Sequence, residues 1–304
     1  MREPGHYYTA YFVSLASGFG PSTALRNAVF AQMPDEVNAL DATFQEESRL
    51  GAPGGMVTWT RFERDLIQRG LHSLTGGLSD TERNVTKRAI RQATPGTMDF
   101  GFLLHRFGDT YAHSVIGNET RMYDTGWGHA LDLNDPDFIH VRPGLYVEFV
   151  RELYGVLSEL ALGQGLVSRM SVEQVLQVAR GVPNPTTRTI PLDTLGGAAQ
   201  NVGPSFGEPR GYTEIVVYDS SESAQIRRLR DCCRQQMRIE LDPYRPEDEE
   251  TMSWVQYKRR HAPFMHQLDG AEITWPGVAT AVFAVARSVG QVPRSDLNYP
   301  LRPQ

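Results

Sequence analysis

The chain of 304 residues contains only two cysteines, Cys232 and Cys233, and they are adjacent. Adjacent cysteines rarely form a disulfide with each other, so the fold is not expected to depend on disulfide bonds. This scarcity favours a reducing compartment. The sequence also lacks an uninterrupted apolar stretch long enough to form a transmembrane helix. We therefore expect neither a disulfide-stabilised scaffold nor a transmembrane helix.

Two further features are missing. The first residues, Met1 to His6, lack the basic, apolar and small-residue regions of a secretory signal peptide, so we expect a cytoplasmic protein, with non-classical export as the alternative. An excess of positive charge is also missing, since the net charge is -6. Non-specific binding of long nucleic acid requires a basic surface, so long nucleic acid is not an expected partner. The sequence does not specify an oligomeric state.

What the sequence does contain is mainly helical patterning. Apolar residues recur with a period of 3.6, and Pro, Ser and Thr residues mark helix starts. We predict helices at 7–19, from 21 onward, 35–47, after 60–63, after 79–82, 97–115, 143–162, after 171–174, 221–241, 246–266 and 274–289. Only 214–218 is typical of a strand. The fold class is therefore predicted to be all-α, a multi-helix bundle to which one short hairpin could be added.

The predicted helices divide the chain into three parts. Residues 181–211 are rich in Gly, Pro, Thr and Asn and lack helical periodicity, which predicts a long irregular loop. We expect residues 1–180 to form a metal-binding helical core and residues 181–219 to form a loop or lid. Residues 220–304 are expected to form a C-terminal helical region that packs on the core.

One predicted helix carries an unusual combination of side chains. His105, Asp109 and His113 are spaced at i, i+4 and i+8, which keeps them within about 80° of one another on a helix. The flanking residues are strongly apolar, so this stripe is expected to be buried. Buried ionisable groups are costly unless they are paired or bind metal. Two imidazoles and a carboxylate on one stripe are ligands for zinc or a similar divalent metal, and the bundle is expected to enclose a buried metal cluster.

Other stretches must complete such a site. His6 begins the first apolar helix, His72 ends an amphipathic helix, and His129 follows a Gly-Trp-Gly turn. Each setting is also common for a surface, helix-end or turn histidine. Asp132 lies three residues after His129, with Asp135 and Asp137 as nearby alternatives. Asp35 follows an apolar helix, where an acidic residue is also common in a first helical turn.

The order of these residues along the chain is itself informative. It runs His6, Asp35, His72, His105, Asp109, His113, His129 and then an acid. This order resembles the zinc-dependent phospholipase C superfamily, which also contains the fungal single-strand nucleases. The resemblance covers roughly residues 6–140 and rests on ligand order and helical setting. It implies an all-α fold around two or three clustered zinc ions, with iron or manganese as alternatives.

The resemblance also implies a role for each residue. One metal would be bound by four side chains: Asp35, His72, His105 and Asp109. Asp109 would bridge to a second metal, bound by His6. The third metal would be bound by His113 and His129, with Asp132 or a neighbouring acid. Members of the family also use a free N-terminal amine as a ligand, whereas five residues precede His6 here.

These assignments predict a metal-dependent hydrolase of a phosphoester, similar to phospholipase C. Clustered divalent ions lower the pKa of a water molecule and offset charge on phosphoryl oxygens, so no nucleophilic side chain is needed. Asp35 and Asp109 are the expected catalytic residues. The expected substrate is a small phosphorylated molecule or a phospholipid headgroup.

Two other interpretations of the same residues stay open at this point. His and carboxylate ligands on helices also suit iron, so a non-heme iron or mixed-metal oxidase or oxygenase is the first alternative. A non-enzymatic interaction protein with a structural metal is the second, and a metal with no open coordination position would support it.

Overall fold

Helices account for most of the chain in the computed structural model, which describes residues 1, 4–42, 65–125, 135–181, 187–189, 214–216, 218–241, 252–260 and 273–291. The prediction of an all-α fold class is therefore confirmed. Of the predicted helix at 35–47 the structure describes residues 35–42, and the capping-box pattern at 60–63 lies outside the described residues, as does most of the predicted loop at 181–211. Within the described residues, no helix is both long and apolar enough to cross a membrane.

The chain begins with a single π-helical turn, Pro4–Tyr8, that continues into helix α1, Thr9–Ala16. Every residue of α1 is buried, as its apolar sequence predicts. Helix α2, Pro21–Glu36, begins at a proline. The first N–H groups of a helix have no partner within it, so a residue without an N–H is favourable there. The prediction that a new helix starts at Asp35 is wrong, because α2 continues through Pro34 to Glu36. Pro34 has no N–H to donate to the carbonyl of Phe30, and the helix ends two residues later, at Glu36.

A second π-helical turn, Asp65–Leu71, precedes helix α3, Ser79–Gln92, and helix α4, Met98–Ala112. The expected start of α3 is confirmed, but the capping box proposed for it does not form. Leu78 is the N-cap residue, and Ser79 makes no capping hydrogen bond. Glu82, the other member of the proposed box, instead pairs with Arg106 at 2.7 Å.

The remaining helices lie close to the predicted positions, except that residues 252 and 253 of the helix predicted at 246–266 are not helical. Helix α5, Pro143–Gly163, matches its prediction, and helix α6, Val172–Ala179, has the capping box expected from Ser171 and Gln174. Helix α7, Tyr218–Cys232, ends in a π-helical turn, Cys233–Met237. Helices α8, Trp254–Arg260, and α9, Trp275–Ser288, complete the described chain.

Two small two-stranded antiparallel sheets interrupt the helices of the described chain. Strand β1, Ser114–Val115, pairs with β2, Asn118–Met122, directly after α4. Strand β3, Thr187–Thr189, pairs with β4, Glu214–Val216. The strand predicted at 214–218 is confirmed at Glu214–Val216, but it does not reach Tyr218, where α7 begins, and β1, β2 and β3 were not predicted. Strand β3 lies inside the segment predicted to be a loop. Its three residues are too few to show a strand periodicity in the sequence.

Helix α4 lies at the centre of the packing. It contacts α2 and α3 most extensively, and also α5, α9 and the 65–71 turn. Gly101 permits the close approach of α2, because a Cβ at that position would lie 2.2 Å from Cβ of Phe30. All residues of α4 from Phe100 onward are buried. The His/Asp stripe of this helix is therefore enclosed by neighbouring helices.

Candidate metal centre

Helix α4 supplies the first ligands of the candidate site. His105 and Asp109 are fully buried within it, and His113 is the residue immediately after its end. The prediction that the helix reaches Val115 is wrong, because β1 begins at Ser114. The backbone N–H of His113 still donates to the carbonyl oxygen of Asp109 at 2.8 Å, so the i+4 relation survives at the helix end.

His72 reaches the same place from the end of the 65–71 turn. Its backbone N–H donates to the carbonyl of Ile67 at 3.0 Å, which continues that turn. Ser73 then adopts a left-handed conformation with φ of 58°, and its buried hydroxyl has no hydrogen-bond partner among the described residues. A non-glycine residue with this φ is strained and persists only when its surroundings fix it. The chain thus reverses sharply just after presenting the imidazole.

His6 approaches α4 from the first π-helical turn. Gly108 makes this approach possible, because a Cβ there would lie 3.0 Å from Cε1 of the His6 ring. The rings of His6 and His105 stack with their centroids 4.1 Å apart. The amine of Met1 lies 2.8 Å from His6 Nε2 and 2.8 Å from Asp109 Oδ1. An N-terminal amine therefore lies in the cluster although five residues precede His6.

The carboxylate of Asp109 contacts these groups through both of its oxygens. Oδ1 lies 3.1 Å from Nε2 of His6, on the side of the Met1 amine. Oδ2 lies 3.1 Å from Nδ1 of His72 and 3.1 Å from Nε2 of His105. A carboxylate that presents one oxygen to each of two groups of nitrogen atoms has the arrangement of a bridging metal ligand.

Backbone carbonyls fix the tautomers of three of the imidazoles. His72 Nε2 lies 2.7 Å from Leu40 O, His105 Nδ1 lies 2.8 Å from Ala31 O, and His113 Nδ1 lies 2.7 Å from His72 O. A carbonyl oxygen can only accept, so each of these nitrogens donates its N–H. The opposite ring nitrogen of each residue then points into the cluster. Such a contact to the non-ligating nitrogen is what orients histidines around metals.

Three of the inward-facing atoms form a triangle of acceptors. His105 Nε2 lies 3.1 Å from His72 Nδ1, and each lies 3.1 Å from Asp109 Oδ2. Burial lowers the pKa of His105 to about 4, so at neutral pH its Nε2 carries a lone pair. Lone pairs that face a carboxylate at this separation repel one another unless a proton or a metal cation lies among them.

The size of this triangle suits a metal ion. With metal–ligand bonds of about 2.0–2.1 Å, neighbouring ligand atoms lie about 2.9 Å apart in octahedral and about 3.3 Å apart in tetrahedral geometry. The observed edges of 3.1 Å lie between these values. Two groups of side chains, one of His6, His105 and Asp109 and one of Asp35, His72 and His105, each have ligand atoms within 4.8 Å of one another and could hold a metal ion.

Two further carboxylates complete the cluster on its open side. Asp35 Oδ2 lies 3.5 Å from His6 Nε2, and Asp35 Oδ1 lies 3.6 Å from His105 Nε2. Asp137 Oδ1 lies 3.4 Å from His113 Nε2 and 3.5 Å from the Met1 amine. The side chains of Asp35 and Asp137 are 25% and 20% exposed, whereas Asp109 is fully buried. A small molecule would therefore reach the cluster from the side of Asp35 and Asp137.

The acid–base properties of the cluster reflect its burial and its crowded charges. Burial raises the pKa of Asp35 well above its usual value, and the neighbouring carboxylates of Asp109, Asp41 and Asp137 add to this against the opposing Met1 amine. Burial by itself would also raise the pKa of Asp109, but the facing His113, Met1 amine and His105 outweigh it and hold that pKa well below its usual range. Asp109 is therefore ionised at neutral pH.

The imidazoles of the cluster also differ from one another in pKa. Burial lowers the pKa of His6 well below its usual value, and the Met1 amine and His105 add to this. Burial would lower the pKa of His113 too, but the carboxylates of Asp109 and Asp137 outweigh it and raise that pKa. At neutral pH the cluster thus holds neutral rings at His6 and His105 and favours a proton on His113.

The structure brings together most of the residues predicted from the sequence. His6, Asp35, His72, His105, Asp109 and His113 converge within one buried cluster. His129 and Asp132 lie outside the described residues, so their roles stay predictions. Of the acids that follow His129, Asp137 has its carboxylate beside His113.

One supporting residue of the site was missed in the sequence. Arg106 is fully buried beside His105, and its guanidinium donates to the carbonyl oxygens of Gly70 at 2.8 Å and Arg69 at 3.3 Å. It also donates to Glu82 Oε2 at 2.7 Å. These bonds anchor the backbone just before His72 to α3 and α4. An arginine inside an otherwise apolar helical stripe was the available signal.

Comparison with protein-family models, with curated proteins and with solved structures found no match to this chain. The suspected relation to the zinc-dependent phospholipase C superfamily therefore stays a prediction that rests on residue order.

Proposed function

We propose that this chain is a metal-dependent hydrolase of a phosphoester and that Asp109 bridges two metal ions in it. The observation that carries the proposal is the acceptor triangle of His72, His105 and Asp109, with edges of 3.1 Å. His105 contributes a neutral nitrogen and Asp109 a negative oxygen, so a divalent cation stabilises the arrangement more than any neutral ligand would.

The side chains would divide the binding of metal between two positions. His72 and His105 face Asp109 Oδ2, whereas His6 faces Asp109 Oδ1, and Asp35 lies between the two sets. His113 and Asp137 form a further imidazole–carboxylate pair at 3.4 Å that would add to the cluster. Zinc suits this donor set, and iron or manganese is the alternative.

Bound divalent ions would act as Lewis acids toward phosphoryl oxygen and would lower the pKa of a water molecule to near neutrality. Asp35 is the best-placed side chain to orient that water and accept its proton, because its carboxylate is partly exposed and borders both sets of nitrogens. The buried Asp109 would bridge the two metal positions and keep the imidazole ligands of both in place. A small phosphorylated molecule or a phospholipid headgroup would enter past Asp35 and Asp137.

Metal binding is expected to release protons. Asp35 and His113 both have raised pKa values, so in the metal-free protein each holds its proton to a higher pH than usual, and a bound cation must displace that proton. The affinity for zinc should therefore increase as the pH rises from about 6 to about 8. Calorimetric titration in buffers of different ionisation enthalpy measures this release. An affinity that does not change with pH and no released proton would contradict the roles of Asp35 and His113.

Hydrolysis is tested with a chromogenic phosphodiester, bis(p-nitrophenyl) phosphate, and the matching monoester. The zinc-replete protein should release p-nitrophenol from at least one of them, lose this activity after treatment with a chelator, and regain it when zinc is added back. A protein that holds its metal ions but hydrolyses neither ester, nor a phospholipid headgroup ester, would overturn the proposal of a phosphoester hydrolase.

A further inference from the structure

A basic groove lies on the outer surface between α3 and α5, and no residue of the metal cluster lines it. Its volume is about 730 Å³, which is in the range of about 300–1,000 Å³ typical of small-molecule sites. Four cationic side chains line the groove: Lys87, Arg88 and Arg91 from α3 and Arg151 from α5. Glu152 also lines the groove, so four cations and one carboxylate give the lining a net charge of +3, whereas the whole chain has a net charge of -6.

Two of the four cations are already neutralised. Lys87 Nζ lies 2.6 Å from Glu152 Oε2, and Nε of Arg91 donates to both carboxylate oxygens of Glu159 at 3.1 and 3.0 Å. A third ion pair joins Arg83 Nη1 to Glu148 Oε1 at 3.6 Å. The three ion pairs connect α3 to α5 along the length of both helices. These ion pairs account for the positions of Lys87 and Arg91, so no ligand is needed to explain them.

The other two cations have no such explanation. Arg88 and Arg151 are exposed and have no ion-pair partner among the described residues. Like charges on facing helices repel, so two unpaired guanidinium groups beside one groove cost stability unless an anion offsets them. The guanidinium group is also the side chain best suited to bind phosphate or carboxylate with two parallel hydrogen bonds.

Gly155 leaves the wall of this groove open. It lies within α5, where glycine is unfavourable, and a Cβ added there would meet nothing within 4 Å. No close helix packing therefore requires a glycine at this position. The missing side chain instead widens the groove beside Arg151.

We propose that this groove binds a small polyanion, a ligand with two or more phosphate, sulfate or carboxylate groups, through Arg88 and Arg151. This site is separate from the metal cluster and does not depend on the proposed hydrolase activity. The extended anion would lie along the groove, with Lys87 and Arg91 adding positive potential although both remain paired.

The proposal is tested with 8-methoxypyrene-1,3,6-trisulfonate, a fluorescent trianion that chelates metals weakly. Binding to the full chain is followed by fluorescence anisotropy at low ionic strength, and pyrophosphate should compete better than monovalent acetate. The double variant Arg88→Gln/Arg151→Gln should weaken binding at least about tenfold. It leaves no carboxylate unpaired, so the fold should be retained. Unchanged affinity in this variant would overturn the proposal.

A second pair of variants tests the groove without removing any cation. Gly155→Glu places a carboxylate in the open space and should also weaken binding at least about tenfold, while helix propensity improves. Gly163→Glu introduces the same charge at the exposed end of α5, where a Cβ also meets nothing within 4 Å, and should leave binding nearly unchanged. Equal effects of the two variants would indicate general electrostatics and would contradict a defined site.

An anionic membrane surface is the competing occupant. If the trisulfonate does not bind but vesicles containing phosphatidylserine sediment the wild-type chain and not the double variant, the small-ligand proposal is wrong and the patch faces lipid. Binding of the trisulfonate with no sedimentation by such vesicles supports the groove as a small-molecule site.

Discussion

Replacement of Asp109 by asparagine is expected to remove bound metal and to reduce phosphodiester hydrolysis by at least about 100-fold. The amide has the same shape as the carboxylate but no negative charge, and one of its two heteroatoms cannot accept a metal. Both oxygens of Asp109 are used, since Oδ1 faces His6 and Oδ2 faces His72 and His105. The loss should therefore affect two metal positions together.

The stability of the metal-free protein should change as well. Asp109 is fully buried and is the carboxylate nearest to the Met1 amine and to three imidazoles. Removing one member of a buried ion pair leaves the other uncompensated, which typically costs about 3–5 kcal/mol. Thermal unfolding in the presence of a chelator measures this loss, and metal analysis after zinc loading measures occupancy.

Asp99→Asn is the matched control for this variant. Asp99 lies in the first turn of the same helix and is only partly buried. Its replacement should change stability by about 1 kcal/mol or less and leave metal content intact. Full metal occupancy together with full activity in Asp109→Asn would contradict the bridging role.

The second large effect is expected at Arg106. Its side chain is fully buried and holds the backbone at Arg69 and Gly70, three and two residues before His72. Arg106→Met keeps most of the apolar stem but leaves Glu82 without its closest cation. We expect the free energy of unfolding to decrease by about 3–5 kcal/mol, because a buried carboxylate is left unpaired. Zinc affinity should decrease too, since His72 loses its anchored backbone.

The double variant Arg106→Met/Glu82→Gln separates the two causes. It should recover part of the lost stability, because no buried charge is left unpaired, while zinc affinity stays reduced. Arg169→Met is the control: Arg169 also donates to two carbonyls, Leu15 O and Phe19 O, but it is exposed and pairs with no described carboxylate. Its loss should cost about 1 kcal/mol. Equal destabilisation by both single variants would contradict the account of Arg106.

The sequence predicts the helical part of the site well. The spacing of His105 and Asp109 within apolar residues identifies their stripe, because helical geometry requires side chains four apart to share a face. Spacing along the sequence does not show that other residues join this stripe, namely His6, Asp35 and His72. This convergence was predicted only from the order of residues in a resembling family, since nothing local encodes which distant turns pack against α4.

Other features of the site could not be predicted because they depend on tertiary contacts. Glu82 fits the sequence pattern of a capping box, yet it pairs with Arg106, because a buried guanidinium gains more from a carboxylate than an exposed helix end does. Asp35 belongs to α2 because that helix continues through Pro34. The choice of Asp137 beside His113 likewise depends on the path of the chain after β2.

The central claim is that the cluster of His6, Asp35, His72, His105 and Asp109 binds metal. The most direct test is elemental analysis by plasma mass spectrometry of the full chain, purified without added metal and again after zinc loading and exhaustive dialysis. The account predicts at least about two zinc ions per chain, falling below about one in Asp109→Asn. Less than about 0.2 divalent ions per chain in the zinc-loaded wild-type protein, or a content unaffected by Asp109→Asn, would contradict it.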